Sequence, residues 1–245
     1  GGGAYELCCF VSHNDTSTQV AMWRDVTQRQ LVLSFRGTSD ILDVLTDVQL
    51  LQTPLEFRED GKKSDDDRMV HQGFFQGAKA VNRRVKELVV AACAGTPGDW
   101  EVLVTGHSLG GALATMMAAE IAVGIDTSRG FKARQVDSWF SSLAKVIMRD
   151  TQPVGATPPT LGRVRMYTFG APRVGNSNFA RFFNSLNLEA FRIVNGADIV
   201  ARMPRHANSA GALLDYEHVG KTVLIQEELQ VQQASGVGVA GGFWV

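Results

Sequence analysis

Residues 101–123 read EVLVTGHSLGGALATMMAAEIAV. The stretch has three parts. Residues 101–105 are a β-type run with Val102, Leu103 and Val104 in succession. Gly106-His107-Ser108-Leu109-Gly110 is G-x-S-x-G. Residues 111–123 are rich in Ala, Met and Ile, and Gly124 stands where such a helix is expected to stop. Taken alone, five such residues equally suit a Gly-Ser turn feeding an Ala-rich core helix. A strand in front, and the small Gly111, Ala112, Ala114 and Ala118 behind, favour a nucleophile turn. Such a turn must be very tight, with Ser108 strained at its apex and glycine two residues to either side to avoid collision. It lifts the hydroxyl clear of the sheet, and the helix behind it aims free N–H groups at the reacting centre.

Strands and helices alternate outward from this stretch. Residues 19–25 (QVAMWRD) alternate as a strand, 27–30 make a polar turn, and 31–35 (LVLSF) are a buried strand, so the two predict a hairpin. Residues 41–51 place Ile41, Leu42, Val44, Leu45, Val48 and Leu51 at helical spacing, between Asp40, Asp43 and Asp47. Residues 52–68, with REDGKKSDDD, read as a solvated loop. A long helix is expected within 70–93, with Val81, Val85, Leu88 and Val89 on one face. Further strands are expected at 163–169, 189–194 and 221–226, and a helix near 176–186. Residues 1–18 show no clear period. The alternation predicts an α/β fold with a mainly parallel sheet and helices on both faces. Residues 125–162 stand out because no sheet strand is evident there; within them, 137–148 (DSWFSSLAKVIM) could form a short amphipathic helix.

Composition narrows the function classes. A chain of 245 residues suits one α/β domain, and no linker or internal repeat divides it. A net charge of −1 with no basic block argues against nucleic-acid binding. Cys8, Cys9 and Cys93 make neither a disulfide framework nor a zinc signature, which favours a reducing, intracellular setting, cytoplasmic or plastid. The start GGGAYELCCF has neither a basic signal-peptide region nor an initiator methionine, so the chain could be an excised domain. No apolar run reaches the roughly 20 residues that span a bilayer.

A serine hydroxyl needs a base and an orienting carboxylate. On folds with this elbow the chain order is Ser, acid, His, with the groups at the carboxyl ends of strands. Only His206 and His218 follow Ser108. His218 is the expected base, just before the last strand, whereas His206 reads as an exposed loop residue. Asp198 is the expected acid, in the turn NGAD after the strand at 189–194. Asp126, Asp137, Asp150 and Asp215 have no strand leading into them. Of the earlier histidines, His71 reads as structural, His107 as too constrained to serve its own neighbour, and His13 as surface. The developing oxyanion needs donors. The Leu109 N–H is one. Thr38, after the strand at 31–35, is the best second candidate, although it could instead cap the helix that follows.

The motifs SFRGTSD, VHQGFF, TGHSLGGALA, YTFGAPRVGN, NGADIVARMP and YEHVG occur in an order that resembles the class 3 (fungal-type) lipases, which include plant and algal acylglycerol and phospholipid lipases. The resemblance runs from about Val20 to Ile225. It implies an α/β-hydrolase fold, Ser108 as nucleophile, Asp198 as acid, His218 as base, and Thr38 with Leu109 as oxyanion hole. It implies a carboxylic-ester hydrolase acting on acyl lipids, with no metal or organic cofactor and no assigned oligomeric state. Residues 41–51 match the family's lid, as a shield that opens on lipid or as a helix packed permanently on the core. The long link at 125–162 departs from simple family members. It suits either a solvated insertion or a transient membrane or lipid-surface contact through Trp139 and Phe140. Two other functions stay open at this point: an esterase on non-lipid esters such as feruloyl esters, and a catalytically silent lipase-like binding protein.

Overall fold

A computed structural model describes residues 4–39, 51–55, 67–126, 159–204 and 215–225. The hairpin read from the sequence is present and gains a third strand. Strands β1 (Glu6–His13), β2 (Thr18–Asp25) and β3 (Gln30–Phe35) pair antiparallel with one another in that order. The unexpected β1 is the sheet's outer strand, and most of its residues are exposed. Cys9 and Val11 pack partly against the core, but Leu7 and Phe10 are exposed and the register breaks between Leu7 and Cys9, so no sustained period of two is written into its sequence. Next, β4 (Gln52–Pro54) pairs with β5 (Met69–His71) in a small sheet of its own, so the region read as a polar loop begins in strand and leads directly into another.

Helix α1 (Gln72–Cys93) buries Phe74, Val81, Val85 and Val89 along one face, as its spacing predicts. Strand β6 (Gly98–His107) follows, longer than its apolar run. Helix α2 (Leu109–Asp126) is buried on all sides through residues 110–119, which explains its lack of a polar face. The helix continues past Gly124, correcting the expected stop. A glycine costs a helix about 1 kcal/mol relative to alanine and does not by itself end one. The chain resumes with β7 (Pro159–Phe169), α3 (Ser177–Ser185), β8 (Glu189–Asn195) and β9 (Lys221–Ile225).

The seven-stranded sheet has the order β1-β2-β3-β6-β7-β8-β9, parallel from β3 onward. The α/β-hydrolase fold class is thus observed. The parallel strands advance in one direction without reversal. Right-handed crossovers then place the described connecting helices on the same face. That face carries Leu31, Leu33, Val102, Val104, Val164, Met166 and Ala190, all buried in one core with α1, α2 and α3. Of the two faces expected to carry helices, this one holds all three described helices. The other presents half-buried Val32, Leu103, Tyr167 and Phe191, the last two stacked at 5.4 Å. The expected lid at 41–51, apart from exposed Leu51, and the expected short helix at 137–148 lie outside the described residues.

Candidate active site

At the end of β6 the chain turns so sharply that Ser108 takes φ +56°, a left-handed conformation that L-residues rarely adopt. Backbone packing explains the glycines around it. A methyl group on Gly106 would overlap the Gly110 backbone, and one on Gly110 would overlap the Phe35 carbonyl and the Arg36 backbone. The elbow is therefore wedged against the end of β3. It is also tied to β7, because the Ser108 N–H donates to the Phe169 carbonyl at 2.9 Å. The Ser108 carbonyl in turn accepts from Gly111 and Ala112, at 2.9 and 3.3 Å, starting α2. Leu109 is the first residue of that helix, where N–H groups have no acceptor within the helix.

The oxyanion candidates converge on this point. A methyl on Gly37 would stand 2.7 Å from the His107 carbonyl oxygen and 3.6 Å from Ser108 Cβ. The segment carrying Thr38 thus runs directly past the serine. Ser108 itself is 3% exposed, and its Oγ is buried with no hydrogen-bond partner among the described residues.

Asp198 lies in the turn after β8, as expected. Its Oδ1 accepts from the Val200 N–H at 2.9 Å and the Ala201 N–H at 3.4 Å. Its Oδ2 sits over Gly170, at φ +57°, where a Cβ would overlap it. Gly170 follows Phe169, the residue that receives the Ser108 N–H, so the carboxylate reaches the elbow through two backbone links. Three arginines hold the Asp198 loop by its carbonyls. Arg202 Nη2 donates to Gly196 at 2.6 Å, Arg192 Nη1 to Ala201 at 3.4 Å, and Arg173 Nη1 to both Arg202 and Pro204. Burial draws the Arg173 and Arg192 guanidiniums below the usual arginine range, and each remains a cation. Asp215 is engaged elsewhere: its carboxylate accepts from the Ser177 N–H at 3.1 Å and hydroxyl at 3.0 Å.

His218 is half-buried in the segment before β9. The segment is anchored on both sides, by the Glu217 N–H donating to Gly175 at 2.8 Å and the Gly220 N–H donating to Asn184 Oδ1 at 2.9 Å. No hydrogen bond joins His218 to Ser108. The structure thus brings Gly37, Ser108, Leu109 and the Asp198–Gly170 contact together at the carboxyl ends of β3, β6, β7 and β8. It leaves the serine–histidine bond unmade.

The remaining histidines divide clearly. His71 is 3% exposed and caps α1. His107 is exposed, with Nε2 about 3.5 Å from the place a Gly170 Cβ would occupy. His13 Nδ1 lies 3.0 Å from the Thr16 hydroxyl. His206 is outside the described residues. Residues that the sequence did not mark as part of the site are Gly170, Gly175 and the arginines. A G-A-P turn directly after a strand is the one local signal that could have pointed to Gly170.

Comparison with known proteins places this chain in a family. The family model for lipase (class 3) matches residues 32–134 and 140–208. The chain is 28% identical over 183 residues to a secreted mono- and diacylglycerol lipase 1 of Fusarium solani, covering 74% of this chain and 41% of that protein. It is 29% identical over 209 residues to the chloroplastic phospholipase A1-Igamma1 of Arabidopsis thaliana, covering 79% of this chain and 34% of that one. The chain therefore spans less than half the length of these relatives, whose names place them in different compartments. Among solved structures, a triacylglycerol lipase from Penicillium expansum superposes with a TM-score of 0.66 at 18% identity, over 92% of this chain and 72% of that one, which concerns the fold. No described helix is long and apolar enough to cross a membrane. The family match, which extends over more than half of the chain and includes the elbow, identifies this protein as a member of the class 3 lipase family.

Proposed function

We propose that this chain is a carboxylic-ester hydrolase acting on acyl lipids, with Ser108 as nucleophile, His218 as base and Asp198 as the acid that orients it. The observation that carries the reading is Ser108 at φ +56° on a wedged elbow, with the Thr38 segment on one side and the Asp198 carboxylate over Gly170 on the other. In the reaction, Ser108 Oγ attacks the acyl carbonyl carbon while His218 takes its proton. The oxyanion is met by the Leu109 N–H and by the Thr38 N–H and hydroxyl. Collapse of the intermediate expels the alcohol, protonated by His218. Water then attacks the acyl-enzyme with His218 again as base, releasing the fatty acid and restoring the serine.

The unmade Ser108–His218 bond is to form in the substrate complex, as catalytic hydrogen bonds often tighten only there. Because the hydroxyl is buried, substrate entry also requires the atoms covering it to move. The names of the relatives support an acyl-lipid substrate and divide between acylglycerol and phospholipid. We assign the elements to one domain, with the link between α2 and β7 as an insertion whose contact would be a lipid surface.

The unmade bond is also what a silent, binding-only member of the family would show. Labelling by a serine-reactive fluorophosphonate separates the two. Labelling that is lost in Ser108→Ala, with fatty acid released from a panel of acylglycerols and phospholipids, supports the enzyme. Folded protein that neither labels nor hydrolyses rules it out. Faster turnover of aryl esters such as feruloyl esters than of any acyl lipid would move the substrate away from lipids.

A further inference from the structure

Behind the base-bearing segment sits a second histidine that the mechanism does not use. His71 ends β5 and caps α1, its Nδ1 accepting the Phe74 N–H at 3.4 Å. That role puts the ring proton on Nε2. Nε2 is buried and has no hydrogen-bond partner among the described residues. A cap alone would be served better by asparagine, without the cost of an unmet buried donor. The imidazole is therefore doing something a simpler cap would not.

Its neighbours indicate what. The ring stacks on Phe74 at 4.1 Å and meets the Tyr216 ring at 6.4 Å and 49°. Tyr216 is 1% exposed, and its hydroxyl is held by the Gln52 side chain. Gln52 is in turn the residue that pairs with His71 across β4 and β5. Tyr216 is thus clasped at both ends by one strand pair. The backbone runs the same way: Val70 bridges Gly175, Gly175 bridges Glu217, and the His71 N–H donates to Val174 at 2.8 Å. Glu217 sits in that bridge in extended form. Residues on either side of an extended residue project to the same side of the strand, so Tyr216 and His218 are neighbours in direction as well as in sequence.

We propose that His71 is a positioning residue for His218, acting through the Tyr216 ring to set where the catalytic imidazole points. Burial holds the His71 pKa down to about 4. Its neutral form, and with it the cap and the ring packing, therefore persists at neutral pH. The inference rests on the assignment of His218 above.

The test uses the full chain and a soluble short-chain p-nitrophenyl ester, assayed well below the melting temperature of each variant. His71→Asn keeps an acceptor for the cap while removing the ring. Its kcat is expected to fall about tenfold with KM within twofold, and fluorophosphonate labelling should slow by the same factor. Tyr216→Leu leaves the cap intact and is expected to lose a similar factor. The double variant should lose about as much as either single change rather than their product, because both act through one contact. A folded His71→Asn or Tyr216→Leu protein with wild-type kcat overturns the proposal. If His71→Asn does not fold, Tyr216→Leu alone decides. If the wild type shows no Ser108-dependent hydrolysis, the assignment of His218 fails and this inference with it. Wild-type activity lost in Ser108→Ala but unchanged in both ring variants defeats this inference alone.

Discussion

The loop around Asp198 is held by side-chain cations reaching backbone carbonyls, whereas the segment around His218 is held by a backbone ladder and by rings. The acid side uses Arg173, Arg192 and Arg202, which donate to carbonyls in and around the tight 3-10 turn at Val200–Arg202, from Gly196 to Pro204. The base side uses Gly175 as the middle of a ladder from Val70 to Glu217, with Tyr216 packed on His71. The difference teaches where each proposed partner is vulnerable. The acid loop has directional bonds and a steric stop at Gly170. The base segment adds to its backbone bonds the shape and burial of the Tyr216 and His71 rings, so it should respond to volume and to pH.

The sharpest break of this contrast is at the acid. Asp198→Asn can still accept the Val200 and Ala201 N–H groups, so its melting temperature should stay close to wild type. Its kcat on a soluble ester should fall by about ten-thousandfold, the scale set by losing the orienting carboxylate of a serine triad. A drop of less than tenfold would mean that Asp198 is not the acid. Gly170→Ala comes next. It forces a methyl onto Asp198 Oδ2 at a residue with φ +57°. A misplacement of about an ångström costs on the order of a hundredfold in rate. Steady-state kinetics showing unchanged kcat would mean that Oδ2 is free to move.

The base side is tested by acid. His71 has a folded pKa of about 4 against an ordinary 6.5, because burial disfavours its charged form. Between those values the unfolded chain binds more protons than the native one. Stability should therefore be whole above about pH 6.5 and decline as pH falls to about 4, by up to about 3 kcal/mol. Urea unfolding along this range should show the decline in the wild type and a shallower one in His71→Asn; parallel curves would exclude His71 as its source. The smallest effect is expected on the acid side, from Arg173→Met. Removing its bonds to Arg202 and Pro204 should lower stability by about 1–3 kcal/mol. Denaturant titration would measure this, and no change would mean that the loop is held without that arginine.

Much of the candidate site could be read before any coordinates because its parts are local. The elbow needs a strand, a serine with glycines two residues away, and small residues behind it, all within the 23 residues at 101–123. Asp198 was legible because a turn follows the strand at 189–194 directly. What escaped has physical reasons. Strand β1 has an exposed start and a register break between Leu7 and Cys9, so its sequence shows no sustained alternation. Strands β4 and β5 are three residues each, too short to show a period. His71 reads as structural from sequence, but its part as the α1 cap, with its ring against Phe74 and Tyr216, needed the fold.

The sequence by itself determined the elbow, the order of strands and helices along the chain, and the short set of residues able to serve Ser108, since each depends on neighbours a few positions away. Tertiary structure decided that the sheet order never reverses and so gathers the three described helices on one face. It decided that the Asp198 carboxylate rests on Gly170, and that Gly175 joins the start of α1 to the His218 segment. These contacts link residues from 28 to more than 100 positions apart, and they exist only once the parallel strands have been set side by side.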